Sequence, residues 1–580
     1  METAANDVRD KVSQAQRYLP RDCDPPTVSK ADADASPIMM IAVKSPQRSL
    51  LEISEIADLT FKEQLQTISG VSAVMIWGEK RYAMRIWLDP AKLAGYQLTP
   101  LDVRNAILRE NVELPAGSIE GTNTELTIRA LGLMTTPQEF NSLILKQTGD
   151  QIVRVSDIGR AELGPEDIRG IAKMNGIPMI ALALIPQPGA NHIEIVDEVY
   201  ERLEFIKKDL PADVTYEVGF DNTKYIRSSI DEVMSTIYLA FFLVVVIIFV
   251  FLRDWRTTII PILVIPVSLV GAFFIMYIAG FTINVLTLLA IVLSIGLVVD
   301  DAIVMMENIY VKIEQGMTPL EAGLKGANEI FFAILSTTIT LVAVFIPIVF
   351  LEGMTGRLFR EFSIVIAGAV SISSFVALTL TPMLSTKLLK TRHKRSKAYN
   401  FTEKFFVRLN NVYQKSLESF LKKKYFALGI LLVSFVLIFI LWKAIPAEMA
   451  PLEDRSQMNV SITAQEGATY DYNLAYVEEV ANHVENTIPE FNNITMMLRG
   501  SWAFVRVVLD EPSERERSQQ EIAAALAADL RKKTQARANV IQQSTFGGRR
   551  AGMPIQYVLQ APNIEKLREI LPEFMAQVND

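Results

Sequence analysis

Cysteine and histidine, the residues that build disulfides and many metal sites, are scarce in this sequence. The 580 residues include one cysteine, Cys23, and three histidines, His192, His393 and His483. One cysteine excludes an internal disulfide framework, and the histidines are too far apart for a spacing such as H-E-x-x-H. We therefore expect no metal site and no bound cofactor, with the histidines as ordinary surface or core residues.

The sequence also has no excess of basic residues. The 57 lysines and arginines are outnumbered by 65 aspartates and glutamates, for a formal net charge of −8. Because nucleic acids attract basic surfaces, this balance argues against a nucleic-acid partner.

Long apolar runs dominate the middle of the chain, whereas both flanks have the composition of soluble protein. Most runs reach the ~20 residues that an α-helix needs to cross a bilayer. The runs are residues 236–252, 258–279, 283–306, 329–350, 362–384 and 426–444. The sequence therefore predicts a polytopic α-helical membrane protein with six spans and the lipid bilayer as a partner.

The basic residues between the spans predict the orientation of the chain. Residues 385–425 hold twelve lysines and arginines against two acidic residues, so this segment belongs on the cytoplasmic side. The link RDWR at 253–256 falls on the same side, and Arg357 and Arg360 are a small exception on the other side. With an even number of spans, both soluble flanks lie on the outer face.

An amphipathic pattern lies within the basic segment, at about residues 400–424. The apolar residues at helical spacing are Phe405, Phe406, Leu409, Val412, Tyr413, Leu417, Phe420 and Leu421. The pattern favours a helix that lies flat on the cytoplasmic membrane surface, and a connector packed on the helical bundle is the alternative.

The start of the chain does not explain how its first flank crosses the membrane. It reads METAANDVRDKVSQAQRYL, without a signal peptide or an apolar leader. We therefore expect the chain to be a fragment of a longer protein with a further span upstream. An inverted topology is the alternative, and the charge of residues 385–425 argues against it.

The flanks repeat a unit made of a short strand, a turn and an amphipathic helix. The unit occurs at 37–65, 178–206, 458–488 and 554–578. Such units pair into α+β sandwiches of the split-βαβ type, and their presence on both sides of the spans indicates a transporter built by duplication. Residues 86–165 interrupt the rhythm and are interpreted as an insertion.

Two carboxyl groups, Asp300 and Asp301, lie inside the third apolar run, in GLVVDDAIVMMEN. A charged aspartate at mid-bilayer costs about 3 kcal/mol on insertion scales, and a second carboxylate nearby makes ionisation harder still. Such a pair takes up and releases protons near neutral pH, as a proton relay requires, or flanks a cation from a facing helix. No lysine or arginine lies deep inside the six runs, so we expect the partner outside this chain.

Two other interpretations of the pair stay open. In one, the helix surfaces early and both aspartates lie in headgroups or water, although residues 302–306 continue the apolar run. In the other, the chain is an intramembrane aspartyl protease. That chemistry needs carboxyl groups from two helices, and no other run holds an acidic residue at depth.

Three stretches together resemble one family. GLVVDDAIVMMENI at 296–309 resembles the fourth-span motif of resistance-nodulation-division (RND) efflux pumps, in the AcrB-like hydrophobe/amphiphile branch. RYAMRIWLDPAKLAGYQLTPLDVRNAI at 81–107 resembles the family's passage from porter to docking domain. FLEGMTGRLFREFSIVIAGAVSISSFVALTLTPML at 350–384 resembles its fifth loop and sixth span, so the resemblance extends over essentially the whole chain.

The resemblance implies a domain order with ferredoxin-like, periplasmic porter subdomains. The implied parts are the end of a first porter subdomain (1–36), a second porter subdomain (37–85 and 166–228), a docking insertion (86–165), family spans two to seven with the interfacial helix (229–445), and a third porter subdomain (446–580). The lysine that pairs with the carboxylates in the family lies on a span outside this part.

The resemblance also implies a function. Family members are secondary active transporters rather than enzymes, and they form homotrimers in the bacterial inner membrane. They exchange protons for amphiphilic compounds, which pass to a periplasmic adaptor and an outer-membrane channel. Asp300 and Asp301 match the proton-carrying pair, and Gly296, Glu307 and Asn308 match other positions of the relay-helix motif.

Aromatic residues of the flanks match the family's cargo pocket. Trp77 and Phe504 fall at pocket positions between the second and third porter subdomains, and Trp502 is nearby. Each is equally a candidate core residue, because aromatics fill cores by default. The short link SW replaces a Phe/Gly-rich loop of the best-known drug pumps, which favours a narrower range of cargo.

Three rival functions stay open. A heavy-metal RND exporter would use methionines, and Met39, Met40, Met496 and Met497 lie in the right subdomains. Adjacent residues on a strand face opposite ways, however, so neither pair forms a cluster by itself. A protein-export component of the SecD/SecF type and a non-functional fragment are the other two.

Overall fold

The computed structural model describes residues 2–19, 23, 26, 28, 36–113, 115–129, 132–149, 151–389, 397–445, 451–533, 535–543 and 559–579. The chain divides into two compact units. Residues 1–223 and 448–580 form the sheet unit, and residues 224–447 form the helical unit. The two flanks of the spans therefore fold together, although all six spans separate them in sequence.

All strands that the structure describes belong to the sheet unit. In chain order they are β1 (Met39–Lys44), β2 (Val71–Trp77), β3 (Tyr82–Leu88), β4 (Pro115–Glu120), β5 (Glu125–Arg129), β6 (Ile144–Thr148), β7 (Gln151–Arg154), β8 (Gly159–Pro165), β9 (Gly170–Met174), β10 (Ile177–Pro186), β11 (Thr215–Asp221), β12 (Gln457–Thr463), β13 (Phe491–Arg499), β14 (Trp502–Leu509) and β15 (Arg537–Gln542).

Helices occur in both units. In chain order they are α1 (Glu2–Ala15), α2 (Leu50–Ile56), α3 (Glu63–Gln66), α4 (Pro90–Gly95), α5 (Pro100–Glu110), α6 (Pro137–Ser142), α7 (Val155–Ile158), α8 (His192–Asp209), α9 (Asn222–Leu252), α10 (Trp255–Ala279), α11 (Val285–Glu314), α12 (Pro319–Val349), α13 (Gly353–Leu388), α14 (Lys397–Lys422), α15 (Lys424–Ala444), α16 (Tyr470–Thr487), α17 (Gln519–Leu530) and α18 (Ile564–Asn579). A π-helical turn, Ala57–Lys62, joins α2 to α3.

A nine-stranded sheet forms the centre of the sheet unit. Its order is β11-β1-β10-β9-β13-β14-β12-β15, and β2 pairs with β10 beside this path. The first half combines β1, β2, β10 and β11 with α2, α3 and α8. The second half combines β12 to β15 with α16 and α17.

Three of the four predicted strand–helix units correspond to strands and helices of the structure. The units at 37–65, 178–206 and 458–488 are confirmed as β1 with α2 and α3, β10 with α8, and β12 with α16. In the unit at 554–578 the helix is α18, and residues 554–558 of its strand lie outside the described residues. One further unit, β14 with α17, was not among the predicted units.

A hairpin between β9 and β10 joins the two halves of the sheet. Asn175 and Gly176 have φ angles of 50° and 77°, and Asn-Gly is the favoured pair for a two-residue hairpin turn. The Asn175 side-chain oxygen accepts a hydrogen bond of 2.9 Å from the backbone N–H of Ile494. Strand β9 then pairs with β13, from Thr495 opposite Met174 onwards.

Alternation along the strands separates the two faces of this sheet. On one face, Leu182 packs with Val199 of α8 in the first half. On the same face in the second half, Val505 packs with Val480 of α16. The opposite face, which we call the aromatic face, carries a smaller buried cluster of Met40, Ala42, Ala172, Met174, Met179, Ala181 and Phe220.

The chain between β2 and β9 forms three two-stranded sheets, β3–β8, β4–β5 and β6–β7. Leu93, Val103, Val153 and Ile158 make a small core among the helices of this region. The predicted interruption at 86–165 falls here. Its assignment to a docking domain stays a prediction.

Among the residues that the structure describes, six helices are long and apolar enough to cross a membrane, and they correspond to the six predicted apolar runs. They are Asn222–Leu252, Trp255–Ala279, Val285–Glu314, Pro319–Val349, Thr355–Leu388 and Tyr425–Ala444. Most are longer than the apolar runs, because the backbone hydrogen bonds of a helix continue through polar turns at its ends.

Close contacts at glycine hold α10 against α13. A Cβ atom at Gly271 would lie 2.7 Å from Ile372 Cδ1, and one at Gly368 would lie 2.5 Å from Ile275 Cδ1. A larger residue at either position would require the facing isoleucine side chain to move.

Helix α14 carries the predicted amphipathic pattern and contacts the end of α9. Phe406 lies 5.7 Å from Phe251, measured between ring centroids. The Glu403 carboxylate accepts a hydrogen bond of 2.8 Å from Arg253. The position of α14 on a membrane surface stays a prediction.

Candidate functional site

The carboxylate pair of the sequence motif lies midway along α11. Asp300 is exposed and Asp301 is half-buried, because successive residues of a helix point about 100° apart. The Thr337 side chain of α12 interacts with the Asp301 carboxyl. Within the described residues, neither aspartate forms an ion pair with a lysine or arginine.

Buried contacts on either side of the pair fix the position of α11. Val298 and Ala302 are fully buried against α10 and α13. The Ser373 hydroxyl of α13 donates a hydrogen bond of 2.7 Å to the Val298 carbonyl oxygen. The pair therefore lies on a part of α11 that is in contact with three neighbouring helices.

The other motif residues lie along the same helix. Asn308 donates a hydrogen bond of 3.0 Å to the Gly326 carbonyl oxygen of α12. At Gly326 a Cβ atom would lie 2.9 Å from Ile309 Cγ1, so this glycine allows α11 and α12 to approach. Gly296 and Glu307 are exposed. Asn308 thus has a visible packing role, and the functional roles of all three stay predictions.

An ion pair that the sequence analysis missed lies further along α11. Lys312, which is 8% exposed, contacts Glu329 of α12 at 2.7 Å. The sequence analysis placed both groups at or beyond the ends of apolar runs, because it took the end of apolarity as the end of the helix. Lys312 lies about 18 Å from Asp300 along the helix axis, so it is not the partner of the pair.

The three aromatic candidates come together in the sheet unit. Trp77 of β2 and Phe504 of β14 make an edge-to-face contact with their ring centroids 6.0 Å apart. Trp502 lies 5.4 Å from Phe504 on the same strand. Trp502 is 42% exposed, so one side of this aromatic cluster reaches the surface. The structure places the residues together, and cargo binding by them stays a prediction.

The aromatic cluster bridges the two halves of the sheet. Trp77 belongs to the first half and packs on the buried cluster of the aromatic face, as Val508 of the second half also does. The Arg506 side chain of the second half contacts the Phe220 ring of the first half. The guanidinium carbon lies 3.9 Å from the centroid of that ring. The aromatic faces of the two halves therefore pack against each other.

Arg506 is a residue that the sequence analysis missed. Its Nε donates a hydrogen bond of 3.0 Å to Asn459 Oδ1 of β12. Burial lowers the pKa of Arg506 to about 10, so it stays charged at neutral pH. The signal available in the sequence was a lone arginine in the alternating strand WAFVRVVL, at a position that shares a face with Trp502 and Phe504.

The methionine pairs separate as the strand geometry predicts. Met39 packs in the core below α8, and Met40 packs on the aromatic face. Met496 packs below α16, and its neighbour Met497 points to the opposite face. Neither pair places two sulfur atoms on one side of the sheet.

The chain is similar to known transporters over its whole length. A model of the AcrB/AcrD/AcrF family matches residues 1–580. Multidrug resistance protein MdtC of Pectobacterium atrosepticum is 32% identical over 580 residues, which are 99% of this chain and 56% of that protein. MdtC of Escherichia coli O81 is 32% identical over 577 residues, which are 98% of this chain and 56% of that protein.

A relative without an assigned function is similar over a shorter stretch. An uncharacterized transporter of Haemophilus influenzae is 36% identical over 469 residues, which are 81% of this chain and 45% of that protein. The chain thus spans about half the length of the curated relatives it matches.

Proposed function

This chain belongs to the AcrB/AcrD/AcrF family, and we propose on that basis that it is part of an RND permease that exports amphiphilic or hydrophobic compounds. The family is one of multidrug efflux transporters of the inner membrane and not of enzymes. We assign it proton-driven export, a secondary active mechanism that uses the proton-motive force and no cofactor. The observation that carries this assignment is the pair Asp300 and Asp301 on an apolar, membrane-crossing helix.

Protonation changes what the pair requires from its surroundings. The ionised carboxylates need a cation or water, whereas the protonated groups are neutral and donate hydrogen bonds. The Thr337 side chain of α12 interacts with the Asp301 carboxyl, so a change of protonation at Asp301 alters this contact between α11 and α12. Two protonation states then favour two helix arrangements, as coupling to cargo movement requires.

The topology of the sheet unit supports an assignment as porter subdomains. Each half has the order βαββαβ, with its four strands in the spatial order fourth, first, third, second. This is the arrangement of ferredoxin-like folds. We assign the halves to the second porter subdomain (37–85 and 166–228) and the third (446–580), both periplasmic, with residues 86–165 as a docking insertion.

The aromatic cluster is the proposed cargo site. Trp77, Trp502 and Phe504 lie where the two halves meet, and Trp502 leaves the cluster accessible. Rigid aromatic rings provide a large apolar contact area for amphiphiles. By family membership we further propose a homotrimer that delivers cargo to a periplasmic adaptor and an outer-membrane channel.

The test replaces each carboxyl group by an amide in the complete transporter, produced with its adaptor and channel. Asp300→Asn and Asp301→Asn keep the side-chain shape but cannot titrate. Glu314→Gln, at an exposed position near the end of the same helix, is the matched control. We expect each aspartate variant to raise accumulation of a fluorescent amphiphile to that of cells without the transporter, at unchanged protein level. Normal export by both variants would contradict the proposal.

A further inference from the structure

A positive charge lies on the aromatic face beside the proposed cargo site. Arg506 follows Phe504 by two residues on β14, so the two side chains share one face and lie about 7 Å apart along the strand. The guanidinium carbon lies 3.9 Å from the centroid of the Phe220 ring. Within the described residues it forms no ion pair with a carboxylate, and its one side-chain hydrogen bond is to the neutral Asn459.

A guanidinium offers more donors than this environment uses. It has five N–H groups in a planar fork, and only Nε has an acceptor among the described residues. Phe220 covers one face of the guanidinium. An acceptor can therefore approach at the edge, where the N–H groups point. The fork matches the paired oxygens of a carboxylate or a sulfate.

Unused polar atoms occur on the strand beside Arg506. Thr495 of β13 lies directly opposite Arg506 in the strand pairing. It is 2% exposed, and its hydroxyl has no hydrogen-bond partner among the described residues. Asn493 lies opposite Val508 and is 3% exposed. Its side-chain oxygen also has no partner in the described part of the chain. Buried polar groups without partners are uncommon in native proteins and call for an explanation.

These observations have a common explanation in the chemistry of the cargo. We propose that Arg506, with the Thr495 hydroxyl beside it, binds the anionic head of an amphiphile whose apolar part lies on Trp77, Trp502 and Phe504. The inference rests on the proposed efflux function and narrows its cargo to amphiphiles that carry a carboxylate, sulfate or sulfonate. A cationic amphiphile gains nothing at this position, because the guanidinium repels it.

The test compares three compounds that share a dodecyl chain and differ only in the head. Dodecyl sulfate is anionic, dodecyltrimethylammonium is cationic, and dodecyl maltoside is neutral. Cells that produce the complete transporter with its adaptor and channel are exposed to each compound below its micelle concentration. The variants are Arg506→Gln, Arg506→Lys and Thr495→Val, and the control is Arg531→Gln, which removes an exposed positive charge from the same unit.

For Arg506→Gln we expect protection against dodecyl sulfate to fall by about tenfold, as the loss of one charge-assisted hydrogen bond gives. Protection against the other two compounds should stay within twofold, and Arg506→Lys should retain part of the selectivity. Thr495→Val keeps shape and burial, so it should lose about threefold for dodecyl sulfate alone. Arg531→Gln should behave as wild type.

Two results would overturn the inference. One is an unchanged response of Arg506→Gln and Thr495→Val to dodecyl sulfate. The other is an equal loss for all three compounds in both variants, which assigns these residues to packing of the sheet. A wild-type transporter that protects against none of the three compounds would instead count against the proposed function itself.

Discussion

In the helical unit two adjacent carboxyl groups lie midway along an apolar helix, whereas in the sheet unit a guanidinium lies on an apolar and aromatic surface. Neither charge has an oppositely charged partner among the described residues. The two groups differ in what they can do. A carboxyl group can exist with or without its proton, while arginine stays charged and keeps its fork of donors. The first suits energy coupling, and the second suits recognition of a fixed anion.

The largest effect should come from the helical unit, where the two carboxyl groups act as one unit. We expect Asp300→Asn, Asp301→Asn and the double variant to abolish transport to the same extent, since groups that act together are not additive. Transport of a fluorescent amphiphile into inverted membrane vesicles measures this. Partial, additive losses would mean that the two groups work independently.

A smaller effect is expected in the sheet unit, at the aromatic cluster. Phe504→Ala removes the ring that contacts both Trp77 and Trp502, and one contact between this ring and an aromatic cargo is worth about 0.5–1.5 kcal/mol. We expect export of aromatic amphiphiles to fall about 2- to 12-fold, with little change for cargo without rings.

The neighbouring Val505 gives the matched control for this prediction. It points to the opposite, helix-covered face and is fully buried. Val505→Ala should lower the melting temperature of the purified protein without changing its relative preference among cargoes. If Phe504→Ala and Val505→Ala changed the preference among cargoes equally, the aromatic face would have no special role in cargo binding.

A stability effect should follow from the ion pair near the end of α11. Lys312→Met removes the buried cation that contacts Glu329. Because the Glu329 side chain is 48% exposed, we expect only a small loss of stability in the helical unit. The double variant Lys312→Met/Glu329→Gln should recover part of this loss, because no unpaired charge remains. Thermal unfolding in detergent measures both, with Lys387→Met, at an exposed position of α13, as the control. If Lys312→Met unfolds like the control, the pair contributes no stability.

The smallest effect concerns pH and the sheet unit. Burial alone would raise the pKa of Asp454, but hydrogen bonds from Arg515 and from the backbone N–H groups of Gln519 and Ser456 outweigh it and hold that pKa below its ordinary value of 3.8. Because the folded state binds this proton less readily than the unfolded state, the stability from Asp454 is complete above pH 3.8 and is lost as the pH falls through the folded-state pKa.

We therefore expect Asp454→Asn to lower stability at pH 6 and to make it less dependent on pH below 4. Melting curves of wild type and variant at pH 6 and pH 3 measure this. A difference between the two proteins that is the same at both pH values would show that titration of Asp454 makes no contribution.

The sequence predicted the helical unit better than the sheet unit. Apolar runs are a local signal, and the six spans follow from them directly. The carboxylate pair was equally easy to recognise in the sequence, because two charged residues are unusual within an apolar run. Lys312 was missed because the polar last turns of a helix look like a loop when apolarity alone is considered.

The site of the sheet unit depends on pairing between distant parts of the chain. Trp77 and Phe504 were proposed from a family resemblance, and no local pattern places them in contact. The role of Arg506 could not be predicted, because it depends on Phe220, Asn459 and Thr495. These residues come from three other strands. The register of the sheet places Asn459 and Thr495 opposite Arg506, and the packing of the two aromatic faces brings Phe220 to it.

The most direct test of the account is infrared difference spectroscopy of the purified protein in lipid, recorded between pH 5 and pH 8. Wild type should show the carbonyl band of a protonated carboxyl group that disappears as the pH rises, and Asp300→Asn/Asp301→Asn should lack that band. The same band in both proteins would contradict the assignment of Asp300 and Asp301 as the groups that carry the proton.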